Sequence, residues 1–132
     1  TYPFRARGIG IPTLDEVLGA FPDVPVLIEL QEAAAAAATR AVLDRHGAAG
    51  RAVIASFVDA AVAPFRGSRY ATGASQPDAV HLLRCALTRR PVRPTYAAAS
   101  LPPRWYGVPL PVARFARALR AEGVPLHVWT VD

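Results

Sequence analysis

The strongest constraint on the fold is the regular alternation of short apolar runs with segments of helical periodicity. The apolar runs predict strands at about Val24–Gln31, Ala52–Phe57 and Leu126–Val131, with brief strands near Tyr70–Thr72 and Tyr96–Ala99. Strands that are separated by helices pair in parallel, so the alternation predicts an α/β fold. Periodicity alone does not decide between an open doubly wound sheet and a TIM barrel.

Capping signals place helices between these strands. Thr13 and Glu16 match a capping box, which predicts a helix over Thr13–Ala20, and Ser75 with Asp78 marks the start of another helix. The other helices are predicted from the Ala-rich run to His46, over Val58–Phe65 and over Val112–Ala121. The Pro-rich segment that follows Pro91 and ends at Pro111 is predicted to be mainly an ordered loop.

Composition limits the classes of protein. With 132 residues, 52% of them hydrophobic, residues 1–132 should form a single domain. The charge of +5 comes from scattered arginines without a long basic run or an aromatic stripe, so we expect no nucleic-acid partner, and a small anionic substrate fits this charge equally well. The lone Cys85 excludes a disulfide framework and predicts a buried helical thiol.

The same sequence carries weak signals about location and assembly. No apolar run approaches the roughly 18 residues that a membrane-spanning helix needs, so we expect no transmembrane segment. The absence of a signal-peptide pattern favours the cytoplasm over secretion, although localisation stays open because the chain has no initiator Met. The oligomeric state is not predicted.

Glu29 is the residue that most needs a chemical explanation. It interrupts an apolar run, where burying an ionised carboxylate is costly unless a metal, a cation or hydrogen bonds compensate. Alternation along a strand places Leu27, Glu29 and Gln31 on one face, at the carboxyl end where α/β folds build sites. A metal ligand and a structural partner of an arginine or a helix end are equally good interpretations of Glu29. For Gln31, hydrogen bonding to loop backbone is the stronger alternative.

Other polar and aromatic residues give weaker signals. Trp129 lies near the end of the last strand, where an indole either walls a pocket or packs in the core. His127 precedes it and is expected to be a hydrogen-bonded core residue, whereas His46 and His81 lie on predicted helices without ligand-spaced partners. Ser56 lacks the G-x-S-x-G elbow of a nucleophile.

Four segments, in order and spacing, resemble the glycerophosphodiester phosphodiesterase family. They are Ile11–Leu18, Val26–Gln31, Ala55–Phe57 and Val128–Asp132. The opening Tyr2–Arg5 is similar to the bacterial members. This resemblance covers essentially the whole chain, and it implies a TIM barrel.

The resemblance also implies an activity and a set of site residues. In the family, a divalent cation and two histidines hydrolyse glycerophosphodiesters to an alcohol and glycerol 3-phosphate. Glu29 matches the third metal carboxylate, whose hard oxygens suit Mg²⁺ or Ca²⁺. Gln31 stands where a substrate-binding lysine is usual, and Phe57 and Trp129 match positions on the wall of the substrate pocket.

The chain departs from the family by what it lacks. The first histidine, the Glu-x-Asp metal pair and the second histidine all belong upstream of Thr13, and the closing strand belongs after Asp132. The resemblance therefore implies a fragment of roughly the third to seventh strands of eight, with no catalytic residue in this chain, which is expected to be inactive alone. A phospholipase-like phosphodiesterase and a non-catalytic, decayed barrel are the alternatives.

Overall fold

The computed structural model describes residue 8 and residues 10–129 and shows a mixed α/β architecture. The helices are α1 (Leu14–Ala20), α2 (Ala35–Arg45), α3 (Asp59–Val62), α4 (Gln76–Thr88) and α5 (Val112–Ala121). The strands are β1 (Val26–Glu29), β2 (Ala52–Ala55), β3 (Ala71–Thr72), β4 (Ala99–Leu101), β5 (Arg104–Trp105), β6 (Val108–Pro109) and β7 (Leu126–Val128). Short 3₁₀ helices occupy Ala48–Gly50 and Ala63–Phe65.

Side-chain caps start α1 and α4 where the sequence predicted them. The Thr13 hydroxyl accepts a hydrogen bond from the Glu16 amide at 3.2 Å, and the Glu16 carboxylate accepts one from the Thr13 amide at 2.7 Å. Ser75 and Asp78 form the equivalent pair on α4, where the Ser75 amide donates to the carboxylate at 2.9 Å. Both capping boxes are therefore confirmed, and each satisfies amides that the first helical turn leaves free.

Five strands run parallel and follow one another in chain order. β1, β2 and β3 form one parallel sheet, and β4 pairs in parallel with β7. A parallel bridge between Gly73 and Ala98 joins these two groups, with the Ala97 amide donating to the Thr72 carbonyl at 2.7 Å. The described residues form no closed barrel. Their parallel pairing confirms the α/β class that the alternation predicted.

The apolar core lies between the strands and the helices. In β1, Val26 and Ile28 pack on a cluster that includes Leu18, Leu43 and Phe65, whereas Leu27 and Glu29 lie on the opposite face. A second cluster joins α4 and α5 to β4 and is built around the buried side chains of Leu82, Leu101, Phe115 and Leu119. One face of the strands is thus covered by helices, and the other carries the candidate site.

The structure corrects several predicted boundaries. β1 ends at Glu29 because β2 ends opposite it at Ala55, and Gln31 follows in a bend. β4 lies slightly later than predicted, and the Pro-rich segment contains the antiparallel hairpin β5–β6. Two stretches on which the sequence analysis relied lie outside the described residues. They are Tyr2–Arg5, which is similar to the bacterial family members, and 130–132, which end the last predicted strand and the last motif. Within the described part, no helix has the length and apolar character to cross a membrane.

Candidate functional site

A narrow depression lies at the carboxyl ends of the parallel strands. Its lining includes Glu29 from β1, Ala55 from β2, Gly73 after β3, Ser100 from β4 and Trp129 after β7. Because the strands are parallel, their carboxyl ends meet at one edge, the place where α/β folds commonly bind ligands. The predicted residue Glu29 therefore lines a narrow depression of about 20 Å³ that five strand ends build.

Glu29 is exposed, which corrects the expectation of a buried carboxylate. Its face of β1 is the one that no helix covers, and the neighbouring Leu27 on that face is 46% exposed. Among the described residues, no cation lies within ion-pairing distance of Glu29 and no hydrogen bond holds its carboxylate. The structure thus places the carboxylate at the depression with its oxygens free, and it shows no structural partner in that part of the chain.

Phe57 and Trp129, two of the three residues predicted to bind substrate, form one wall of the depression. Their rings meet edge to face with centroids 5.9 Å apart. The Trp129 amide donates to the Leu101 carbonyl at 3.4 Å, which holds the indole beside the end of β4. Long-range packing therefore brings together two aromatic residues that come from distant strands.

Gln31 does not line this depression. It is exposed in the bend that follows β1, two residues beyond Glu29. No side-chain hydrogen bond of Gln31 occurs within the described ranges, so the suggested role in satisfying loop backbone finds no support there. A role for Gln31 in binding substrate stays a prediction.

Small residues make room for the depression. A Cβ atom added to Gly73 would lie 2.9 Å from the Cβ of Ala55, so the two strands approach more closely than a larger residue allows. Ser56 is buried, and its hydroxyl donates to the Leu30 carbonyl at 2.5 Å and accepts from the Val58 amide at 3.0 Å. Both hydrogen bonds of the Ser56 hydroxyl are to backbone groups. This agrees with the absence of a nucleophile motif around Ser56 in the sequence.

A charged network lies beside the depression, where α3 and α4 begin. Arg66 donates to both carboxylate oxygens of Asp59, at 2.6 and 3.2 Å, and to the buried Ser75 hydroxyl at 3.0 Å. Hydrogen bonds from Arg66, and then from Ser75, lower the pKa of the Asp59 carboxyl below its ordinary value. The network links the starts of α3 and α4, and the carboxylates of Asp59 and Asp78 both accept hydrogen bonds within it.

The described residues do not form a metal site by themselves. In residue 8 and residues 10–129, no three His, Cys, Asp or Glu side chains cluster closely enough to hold an ion. Glu29 is a hard oxygen donor of the type that Mg²⁺ and Ca²⁺ prefer, yet those ions take six or more oxygen ligands. A divalent cation at Glu29 therefore requires further ligands from outside the described part of the chain.

None of the three histidines, and not Cys85, lines the depression, although His127 pairs in register with Ser100, which does. His127 is exposed on β7 rather than buried in the core, because β7 pairs on one side only, with β4, in the described structure. His46 contacts the Asp15 carboxylate at 3.1 Å, and His81 is exposed with its ring 3.5 Å from the Cys85 sulfur. Cys85 is buried on α4, as predicted.

A larger groove of about 740 Å³ separates the carboxyl end of α4 from α5. Four exposed arginines line it, Arg89, Arg90, Arg114 and Arg117. Their convergence is invisible in the sequence, where they are scattered. No predicted site residue lines this groove, so it is separate from the site at Glu29.

The sequence did not indicate three further residues near the site. Trp105 contacts Phe57 with ring centroids 5.6 Å apart, and Tyr106 contacts Trp105 at 6.0 Å. Ser100 lines the depression beside Ala98 because β4 continues past the end that was predicted for it. Trp105 and Tyr106 stand out in the sequence as an aromatic dipeptide in the Pro-rich segment. Their position next to the site depends on the hairpin β5–β6, which the sequence did not predict.

Parallel α/β architecture with a depression at the strand ends defines a class that includes many enzymes. No protein-family model matches the chain. The chain is 34% identical to probable glycerophosphodiester phosphodiesterase 2 of Mycobacterium tuberculosis, in an alignment 135 positions long that covers 95% of the chain. The aligned region is 50% of that relative, so the chain spans about half the length of the protein that it matches. The motif resemblance is thereby confirmed, and the chain belongs to the glycerophosphodiester phosphodiesterase family.

Proposed function

We propose that this chain is part of a metal-dependent phosphoric diester hydrolase that cleaves glycerophosphodiesters. In the net reaction, water cleaves the bond between phosphorus and the oxygen of the alcohol. The alcohol leaves with one proton of the water, and the phosphorus keeps the hydroxyl group, which gives glycerol 3-phosphate. The observation that carries the proposal is the exposed carboxylate of Glu29 beside the aromatic wall of Phe57 and Trp129. The name of the mycobacterial relative supports the same reaction class.

The proposed architecture of the whole protein is a (β/α)₈ barrel, in which this chain supplies roughly the third to seventh strands. The support is topological: β1, β2, β3, β4 and β7 are parallel and neighbour one another in chain order, as successive barrel strands do. The hairpin β5–β6 is then an insertion at the carboxyl end of β4. That is the face on which such barrels carry their active sites.

Each predicted residue has a role in this proposal. Glu29 contributes one carboxylate to a site for Mg²⁺ or Ca²⁺, and the remaining ligands come from elsewhere in the protein. A bound divalent cation supplies Lewis-acid polarisation of phosphoryl oxygens. Gln31 donates hydrogen bonds to a phosphate oxygen through its amide, without the charge of a lysine. Phe57 and Trp129 pack against the carbon atoms of the substrate.

The catalytic acid and base must come from other residues. His46, His81 and His127 do not line the depression. General acid–base catalysis typically contributes a factor of about 100 or more, so we expect the 132-residue chain alone to be inactive. Release of glycerol 3-phosphate by the isolated chain, well above a Glu29→Ala control, would contradict this expectation.

The decisive experiment uses the protein expressed together with the coding sequence that flanks this chain. Glycerol 3-phosphate release from glycerophosphocholine is measured with added Ca²⁺ or Mg²⁺, in the parent and in Glu29→Ala. We expect a loss of about 100-fold or more, since even outer-shell partners of a metal contribute 10–100-fold. Glu32→Ala is the matched control, because Glu32 is exposed three residues away and does not line the depression. Equal activity of the two variants would overturn the proposal.

A further inference from the structure

The depression at Glu29 is the first of three neighbouring concavities that share aromatic walls. It shares Phe57 and Trp129 with a second depression, and that one shares Trp105 and Tyr106 with an apolar pocket. The rings that separate them are in contact, with centroids 5.6 Å apart for Phe57 and Trp105. A row of aromatic side chains therefore extends from the exposed carboxylate of Glu29 to an apolar cavity.

The far end of this row differs chemically from the near end. The apolar pocket has a volume of about 350 Å³ and no charged or hydrogen-bonding side chain in its lining apart from the Trp105 and Tyr106 rings. Val80 and Leu83 of α4, with Leu101, Leu110 and Phe115, form its floor and sides. Open apolar concavities of this kind are commonly ligand or partner sites, because water is a poor occupant of them.

The hairpin β5–β6 forms the rim of the pocket. Arg104 donates to the Gly107 carbonyl at 3.1 Å and braces the turn. Tyr106 has a left-handed backbone with φ of 46°, which is unfavourable for a bulky residue, and its side chain is 94% exposed. Val108 is 64% exposed on the adjacent strand. The hairpin thus holds apolar side chains in water at the mouth of the pocket.

We infer that the apolar pocket binds the alkyl chain of an amphiphilic phosphodiester whose phosphate lies at the Glu29 end. The inference rests on the proposed function and narrows its substrate class. A ligand that follows the aromatic row has a phosphate at one end, held through the divalent cation proposed at Glu29, and an apolar tail at the other, which matches the change in lining from Glu29 to Val80. Gln76 and Arg104 line the middle concavity beside the rings. Trp105 and Phe57 pack along the first carbons of the tail.

The test measures binding, so it does not depend on turnover. The protein with its flanking sequence is titrated by calorimetry, in the presence of Ca²⁺ or Mg²⁺, with butyl-, hexyl- and octylphosphocholine, each below its critical micelle concentration. We expect affinity to rise about fourfold per added methylene until the pocket is full, because each buried methylene contributes about 0.8 kcal/mol. A negative heat-capacity change should accompany the gain.

Two variants on one helix make the test specific to the pocket. Val80→Asp places a carboxylate in the apolar lining and should weaken octylphosphocholine binding by about 10-fold or more. Leu87→Asp is the matched control, since Leu87 is 62% exposed on α4 and lines neither the pocket nor the aromatic row. We expect Leu87→Asp to bind within about twofold of the parent, as substitutions at exposed positions have small effects.

The outcomes separate this inference from the proposed function. Affinity that is independent of chain length, or equal binding by the two variants, overturns the inference even if glycerol 3-phosphate is released. Chain-length-dependent binding that Val80→Asp weakens supports the inference. If the same protein then releases no glycerol 3-phosphate, the proposed reaction fails and the apolar site stands.

Discussion

At the residue scale, Gly73 controls how closely the strands approach beneath the site. Its amide donates to the Ile54 carbonyl at 2.8 Å, and its backbone bridges in parallel to Ala98. An added Cβ would lie 2.9 Å from the Cβ of Ala55 and 3.3 Å from its Cα atom. Because one of these atoms is backbone, a side chain at this position requires β2 to move.

We predict that Gly73→Ala destabilises the protein by about 1–3 kcal/mol, the usual cost of overpacking. Gly50→Ala is the matched control, since nothing lies within 4 Å of an added Cβ there, and it should be neutral or stabilising by up to about 1 kcal/mol. Urea unfolding of both variants measures the difference. Equal midpoints would show that the strands tolerate the methyl group.

A second residue-scale prediction concerns Asp59. Arg66 and Ser75 lower the pKa of its carboxyl from the ordinary value of 3.8, so its contribution to stability is present above about pH 4 and is lost as the pH falls through the lowered pKa. We expect Asp59→Asn to reduce the loss of stability between pH 5 and pH 2.

Urea midpoints across this pH range, for the parent, Asp59→Asn and Asp23→Asn, provide the measurement. Asp23 is an exposed carboxylate without an ion pair among the described residues, so its replacement should leave the pH dependence unchanged. A parallel response of both variants would argue against a stabilising role for the Asp59 network.

At the element scale, the hairpin β5–β6 is the feature that most alters the expected picture. It occupies a Pro-rich segment that was predicted to be a loop, and Pro109 is accommodated in β6 opposite Arg104 at the edge of a two-stranded ribbon. Tyr106 and Gly107 form its two-residue turn, both with positive φ. Tight turns of this type favour Asn-Gly, so Tyr106 occupies its position against the backbone preference.

We predict that Tyr106→Asn stabilises the protein by about 1 kcal/mol, because Asn adopts the left-handed conformation at lower cost. Tyr106→Ala also removes the ring but keeps an unfavourable residue in the turn, and it should give no such gain. Thermal unfolding of the two variants distinguishes the effect of the backbone from that of the ring. A lower melting temperature for Asn than for Ala would contradict the prediction.

At the scale of the whole molecule, the described strands end in two open edges. β1 pairs only with β2, and β7 pairs only with β4, within the described ranges. The uncovered face between these edges exposes apolar side chains, with Leu27 at 46% and Trp129 at 42%. Unpaired strand edges and exposed apolar surface both favour association with other chains.

We therefore predict that the 132-residue chain associates when it is expressed alone. Light scattering coupled to size exclusion should show a mass that rises with concentration, and a dye for apolar surface should bind. A matched sample that includes the flanking sequence should show less of both effects. A soluble monomer of the isolated chain, with one sharp thermal transition, would contradict this prediction.

Local patterns explain which parts of the fold were predictable. The capping boxes of Thr13 with Glu16 and Ser75 with Asp78 were correct to the residue because their hydrogen bonds join groups three positions apart. The end of β1 was misplaced because it depends on where β2 ends, which is a long-range property. The hairpin was missed because its turn has Tyr106 where Asn, Asp or Gly is usual before Gly107.

The sequence by itself determined the parallel α/β class, because hydrophobic periodicity is a local property. Its motifs determined the family, and the resemblance to that family gave the candidates Glu29, Phe57 and Trp129. Only the tertiary structure decided that Glu29 is exposed, that Phe57 contacts both tryptophans and that an apolar pocket continues the row. The physical reason is that burial and ring contacts depend on which distant segments pack together. Strand pairing and helix packing determine which residues become neighbours, and local sequence patterns do not predict these long-range contacts.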